Sequence, residues 1–288
     1  MDQKTKRKAD SSPSDVRRGN QLWWQSNPMT YDWRGERQAE PLSPQWFAAA
    51  DAEFLAAMPQ LTVERPFDKL IPYEQLTGKR VLEIGCGMGL HSQLLAQAGA
   101  RVTSIDLTTY ATQATRRRLA ASGYEPSVSR MDGECLALPS GAFDLVWSWG
   151  VIHHAPSTAA IVREIARVLS PSGECRIMVY YREGVPALLE LARGLATLAY
   201  PRRTLDELLW RRTDGFHARY YSVDQFEDLF RPYFDRVESI VTGQLADAVP
   251  LPRTLRRIVA PFVPGPARAA LLSRFGGFLV TTARLPRK

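Results

Sequence analysis

Three acids and a run of glycines carry the chemistry that can be read from this chain. Val81-Leu82-Glu83-Ile84-Gly85-Cys86-Gly87-Met88-Gly89 reads as a short apolar strand entering a Gly-rich turn, with the helix LHSQLLAQAG behind it. Glycines let a backbone approach a ligand closely, and a helix N-terminus favours negative charge. The spacing is GxGxG rather than the GxGxxG of a dinucleotide fold, and Glu83 stands two residues before the first glycine. A carboxylate there repels a pyrophosphate and suits a ligand bearing an ammonium or sulfonium, which argues against a nicotinamide dinucleotide. Asp106 closes the next strand, RVTSID, where a carboxylate can accept both hydroxyls of a ribose. Asp132-Gly133-Glu134 follows a third strand and offers an acceptor for an adenine amino group. Each signal alone is weak, because a Gly-rich turn is often only tight and a strand-end Asp is often a helix cap. Three at successive strand ends are much stronger, since ligands bind outside the carboxyl ends of parallel strands.

The elements that hold these residues alternate. RVLEI, RVTSID, a strand near PSVSR, FDLVWSW and ECRIMVYY are separated by helical stretches, including STAAIVREIARVL with its apolar residues at helical spacing. Strands alternating with helices predict βαβ units on a parallel sheet covered on both faces. After Tyr181 the alternation loosens into helical segments and two more strands, FDRVESIV and GGFLVTTARL. Residues 1–20 lack Leu, Ile and aromatic residues, which predicts a disordered tail. Residues 21–76 form an aromatic-rich cap with a helix opening at Ser43-Pro44.

VLEIGCGMG, SID, DGECLALPSGAFDLVWSWGVIHHAP and IVREIARVLSPSGE together resemble the successive motifs of class I S-adenosylmethionine-dependent methyltransferases. The nearest type is the small-molecule group that includes the ubiquinone and menaquinone methyltransferases. The likeness is tight over residues 66–182 and loose over the last two strands. It implies an α/β fold: a Rossmann-like, doubly wound, mostly parallel seven-stranded sheet with its last strand antiparallel. An N-terminal helical cap precedes it, the methyltransferase domain spans 77–288, and insertions at about 182–235 and 244–275 act as a substrate lid. The cofactor implied is S-adenosyl-L-methionine, bound by Glu83, Gly85, Cys86, Gly87, Gly89, Asp106, Leu107, Asp132, Gly133, Glu134, Ser148 and Trp149. Glu83 would lie near the methionine ammonium, Asp106 on the ribose and Asp132 with Gly133 on the adenine, while the backbone at Ser148 and Trp149 would meet the methionine part. Gly133 and Ser172 depart from the family pattern, the first standing where a larger residue is common and the second breaking a Pro-Gly-Gly.

Methyl transfer from a sulfonium is an in-line displacement, so the protein mainly aligns the reactants and excludes water. A hydroxyl or acidic carbon acceptor also needs its proton removed. His153 and His154, directly after the fourth strand, are the candidate bases, and the alternative is that their rings only hold the loop. His91 reads as a helix-face or carboxylate contact, and His217 as surface or lid. Tyr31, within Tyr31-Asp32-Trp33, could close the site from the cap, although packing of the aromatic cluster is the plainer reading.

The 288 residues hold 37 Lys and Arg against 30 Asp and Glu, a net +7. Residues 244–288 carry eight basic side chains and one acid, so they account for the whole excess. The charge is therefore not spread as in a histone-like body. SWGVIHHAP stands where amino-methylating DNA enzymes carry a Pro-Pro-aromatic string, and no Pro-Cys dipeptide occurs. A small-molecule acceptor is expected, anionic or lipid-like, with no nucleic acid. Segment 244–275 could grip an anionic acceptor, touch an acidic membrane surface, or form an amphipathic cover whose Arg side chains only face water. Three scattered Cys and no apolar leader suggest a cytoplasmic protein with no metal site. A non-catalytic S-adenosylmethionine-binding module, regulatory or for assembly, remains the alternative function.

Overall fold

The protein is described by a computed structural model covering residues 12–30, 37–200 and 202–287. The sheet is built from β1 (Arg80–Ile84), β2 (Arg101–Asp106), β3 (Ser127–Arg130), β4 (Phe143–Trp149), β5 (Leu169–Tyr181), β6 (Tyr220–Tyr221), β7 (Phe234–Thr242) and β8 (Phe278–Pro286). Its order is β3-β2-β1-β4-β5-β8-β7, with β6 paired to the end of β5. β1 to β5 are mutually parallel, and β8 runs antiparallel to both β5 and β7. The sheet has eight strands where the resemblance implies seven. The additional one is the two-residue β6, too short to carry a period-2 signal.

The helices α1 (Pro13–Ser26) and α2 (Pro44–Ala57) precede the sheet. α3 (Leu90–Gln97), α4 (Thr109–Ala121) and α5 (Thr158–Val168) are the crossovers of the parallel part. α6 (Val185–Ala196), α7 (Leu205–Arg212) and α8 (Val223–Phe230) lie between β5 and β7. α9 (Leu245–Ala248), α10 (Arg253–Val259) and α11 (Gly265–Phe275) fill the connection from β7 to β8. Among the described residues no helix is long and apolar enough to cross a membrane.

Strand periodicity sends alternate side chains to two cores. Along β4, Val146 joins Leu82, Ile161, Ile165, Phe226 and Phe230 on one face, while Leu145 and Trp147 join Phe67, Leu94, Leu95 and Val280 on the other. α5 offers Ile161, Val162, Ile165 and Val168 to the first face, a helical stripe that explains why it packs where it does.

The expected tail is the clearest departure. Residues 1–11 lie outside the described residues, but α1 starts at Pro13, well inside the stretch read as disordered. Ser12 and Asp15 form a reciprocal capping box, and Val16 and Asn20 are buried against the body. Polarity hid this helix, because it docks through hydrogen bonds and a small apolar contact rather than a greasy stripe. Gly19 allows that approach: a Cβ there would stand 2.4 Å from the Phe216 ring.

Replacing fully buried Ile165 by Ala should cost about 2–5 kcal/mol, through lost burial and a residual cavity. Urea unfolding checks this, and a loss below about 1 kcal/mol would mean that α5 is not a core element.

Candidate functional site

The glycines sit where β1 ends, and three of them, Gly85, Gly87 and Gly89, have φ of +80°, +51° and +78°. At Gly85 a side chain is excluded twice, by the left-handed backbone and because a Cβ would lie 2.3 Å from Val151 Cγ2. A Cβ at Gly87 would meet none of the described residues within 4 Å. The loop is tied to the end of β2: Gly85 and Cys86 N–H both donate to Ile105 O, at 2.8 and 3.0 Å.

Asp106 completes that tie. Gly87 N–H donates to its Oδ2 at 3.2 Å, and Thr108 N–H and Oγ1–H donate to Oδ1, both at 2.9 Å. Burial pushes its pKa up, and the amides of Thr108, Gly87 and Leu107 and the Thr108 hydroxyl pull it down. Cys86 is buried beside Leu119 and Val128, and burial lifts its thiol well above the usual range.

Glu83 is buried on β1. It accepts a hydrogen bond from Ser92 Oγ, which also contacts Ser104 Oγ at 2.8 Å, and His91 Nδ1 lies 3.9 Å away. His91 thus makes the carboxylate contact expected of it, inside a cage of Phe67, Trp147 and Trp149 rings. Burial pushes the Glu83 pKa up to about 8 against the Ser92 bond, with Asp106 adding to the rise, and burial pushes His91 down to about 3. On β4, Ser148 Oγ–H donates to Ile84 O at 2.9 Å, and the Trp149 ring packs 4.8 Å from Phe67 and 6.0 Å from Phe278.

The third strand end is covered. Glu134 N–H donates to Asp132 Oδ1 at 2.9 Å, and Arg17 of α1 pairs with Asp132 Oδ2 at 2.6 Å and with Glu134. Ser157 N–H also donates to Glu134. A Cβ at Gly133 would make ordinary contact with Ile84 and Ile161 at 3.4 Å. α1 continues across the site. Asn20 Nδ2 donates to His154 O at 2.5 Å and its Oδ1 accepts from His217 N–H at 3.2 Å, while Gln25 Oε1 accepts Thr109 and Tyr110 N–H at the start of α4. Arg17, Asn20 and Gln25 escaped the sequence reading. The one signal for them was Ser12 with Asp15 three residues on, a capping pattern in a polar stretch.

His153 and His154 form a short 3-10 turn with Ile152 after β4, and both are buried. His154 Nδ1 bonds His217 O at 2.6 Å, which puts its proton on Nδ1 and leaves Nε2 the basic nitrogen. Burial pushes its pKa down to about 4, and His153 also lies well below its usual value through burial and its His154 and His217 neighbours. Among the described residues neither His153 ring nitrogen has a hydrogen-bond partner; its ring packs 4.1 Å from Tyr180, which lies 5.2 Å from Tyr220. His217, read as surface or lid, is buried, because α1 covers it. Tyr31 and its neighbours Asp32 and Trp33 lie outside the described residues.

Tyr220 lines a cavity of about 370 Å³ walled by Pro186, Leu189 and Glu190 of α6, Thr213, and Leu251 and Arg256 at α10. Among the described residues no cluster of His, Cys, Asp and Glu could hold a metal ion.

Residues 82–177 match the family model described as "Methyltransferase domain". The chain is 36% identical over 119 residues to a ubiquinone biosynthesis O-methyltransferase of Xanthomonas euvesicatoria, covering 41% of this chain and 49% of that relative. The same-named protein of Xanthomonas axonopodis is 33% identical over 148 residues, covering 51% and 59%. The chain thus spans about half the length of the curated relatives it matches. Among solved structures it resembles an S-adenosylmethionine-dependent methyltransferase from Mesorhizobium loti, with TM-score 0.51 and 20% identity over 76% of this chain and 96% of that one. It also resembles a phosphoethanolamine N-methyltransferase of Haemonchus contortus in complex with phosphomonomethylethanolamine and S-adenosylhomocysteine, with TM-score 0.52 and 19% identity over 74% and 50%. These likenesses show that the sheet and its helices share the fold of those structures, and that residues 82–177 are similar to a methyltransferase domain.

Glu83 gives a pH test. Folded Glu83 keeps a proton that the unfolded chain releases above pH 4.5, so its contribution to stability falls as pH rises from about 4.5 to about 8. Glu83→Gln has no such slope. Its stability relative to wild type should therefore climb across that window, by at most about 1.4 kcal/mol per pH unit in urea melts. A constant difference would mean that Glu83 is ionised in the fold.

Proposed function

We propose that this chain, built on a methyltransferase domain, binds S-adenosyl-L-methionine at the β1–β2–β3 edge and moves its methyl group to a small-molecule acceptor. The observation that carries the reading is the pairing of the open left-handed turn at Gly87 with the Asp106 carboxylate at the adjacent strand end. The residues fit the cofactor. Among the described residues no side chain would crowd a Cβ at Gly87, Asp106 would accept the ribose hydroxyls, and buried Glu83 would meet the ammonium. Asp132, Gly133 and Glu134 would take the adenine once Arg17 yields or rearranges, and Cys86, Gly85, Gly89, Leu107, Ser148 and Trp149 shape the remainder. When bound, the cofactor supplies an electrophilic methyl on a sulfonium.

The chain's own groups do the rest. α1 lies over the site and excludes water, which favours in-line displacement over hydrolysis. The cavity behind Tyr220 holds the acceptor, and the Tyr180 ring links its wall to His153. His153 and His154 are neutral at pH 7 and can accept a proton, but as weak bases. A phenolic or enolic acceptor fits them better than an aliphatic alcohol, because its proton is more easily lost. O-methylation, the activity in the names of the relatives, is consistent with this, and C-methylation of an acidic carbon would use the same groups.

The test is S-adenosylhomocysteine formation with a panel of phenols and enols. Wild type should turn over at least one, and Asp106→Ala should lower kcat/KM by about a hundredfold or more, mostly through cofactor binding. Cofactor binding without product on any acceptor would favour the non-catalytic module instead.

A further inference from the structure

Fifteen large apolar side chains are exposed among the described residues, and eleven of them sit on α6, α10, α11 or the turns beside them. They are patterned rather than scattered. Leu251, Leu255, Ile258, Val259 and Phe262 recur at three- and four-residue steps, so they form one stripe along α10 and its ends, and it faces solvent. Ile258 is 64% exposed and Phe262 82%. Leu188, Leu189 and Leu195 add to it from α6, across the cavity mouth that Leu189 and Leu251 both line. A stripe of this kind normally turns inward.

The charge beside it is basic. Arg202, Arg203 and Arg274 are exposed, and Arg256 and Arg268 are half-buried. Acids of α6 and of the neighbouring α7 and α9 are engaged within the protein. Glu190 pairs with Arg193, Asp206 with Arg182, Glu207 closes the capping box of Thr204, and Asp247 accepts Gln244 and Gly277 N–H. Exposed apolar groups flanked by these Arg side chains match a layer of anionic headgroups over hydrocarbon, whereas a second basic copy of the same face would repel itself.

We propose that α6, α10 and α11 form a docking surface for an anionic lipid bilayer, lying on it without spanning it. Leu255, Ile258 and Phe262 enter the headgroup boundary, and the Arg side chains hold phosphates. The cavity mouth then faces the membrane, so an acceptor with an apolar chain reaches Tyr220 from the lipid side. This last clause rests on the methyltransferase reading, but the docking surface does not.

Vesicle co-sedimentation of the full chain tests it. The protein should sediment with phosphatidylcholine–phosphatidylglycerol vesicles and not with phosphatidylcholine alone, and added salt should weaken the binding. Ile258→Asp and Phe262→Asp should each lower binding about tenfold, since each removes a lipid-facing anchor and adds a like charge to the anionic surface. Val63→Asp, an equally exposed apolar site elsewhere, should bind as wild type. Circular dichroism melts confirm folding of each variant, and both side chains are exposed enough for the fold to tolerate the change. Absence of binding to the anionic vesicles would overturn the proposal, as would unchanged binding by both Asp variants. A wild-type dimer that Phe262→Asp dissolves, with no vesicle binding, would overturn it in favour of a second copy on this face. S-adenosylmethionine binding by any of these variants is unaffected either way, which separates this result from the fate of the methyltransferase reading.

Discussion

The grip of Asp106 on its surroundings is the constraint on which the site depends. A single carboxylate at the end of β2 accepts the Gly87 amide on one oxygen and the Thr108 amide and hydroxyl on the other. It thereby joins the turn after β1 to the start of α4. The left-handed backbone at Gly85, Gly87 and Gly89 shapes the turn that presents the Gly87 amide, and Val151 leaves Gly85 no room for a side chain. A half-buried carboxylate is costly to desolvate unless it is hydrogen-bonded, and here the bonds that relieve the cost also set the loop geometry. One charge stabilises the turn and presents an acceptor at the same position.

The N-terminal helix brings a second layer of control. α1 touches three parts of the site at once: the Asp132–Glu134 turn through Arg17, the histidine turn and His217 through Asn20, and the start of α4 through Gln25. These are polar contacts at a covered edge, each worth only about 0.5–3 kcal/mol. Gly19 keeps the helix close to Phe216. Such a cover can open without disturbing the sheet, whose core lies in the two apolar layers behind it.

The parallel part of the fold was legible because its signals are strong and local. Apolar runs of strand length alternate with helical stripes such as Ile161, Val162, Ile165 and Val168, and the glycines and acids fall at strand ends. What escaped has a physical reason in each case. α1 reads as a tail because it buries only Val16 and Asn20, so its helix is specified by a cap and by partners distant in sequence. Tyr220–Tyr221 is a strand only because β5 runs past it. His217 is buried by α1, and its environment could not be foreseen while that helix went unread. The late basic segment was visible as charge, but its exposed apolar stripe required knowing which face of α10 meets the protein.

The central claim is that the Gly85–Gly89 turn with Asp106 is an S-adenosylmethionine site. Calorimetric titration of the full chain with S-adenosylmethionine tests it most directly. Saturable one-to-one binding is expected, with Gly85→Val binding at least about tenfold more weakly. No heat of binding by the folded wild-type protein, or equal affinity in the Gly85 variant, would contradict it.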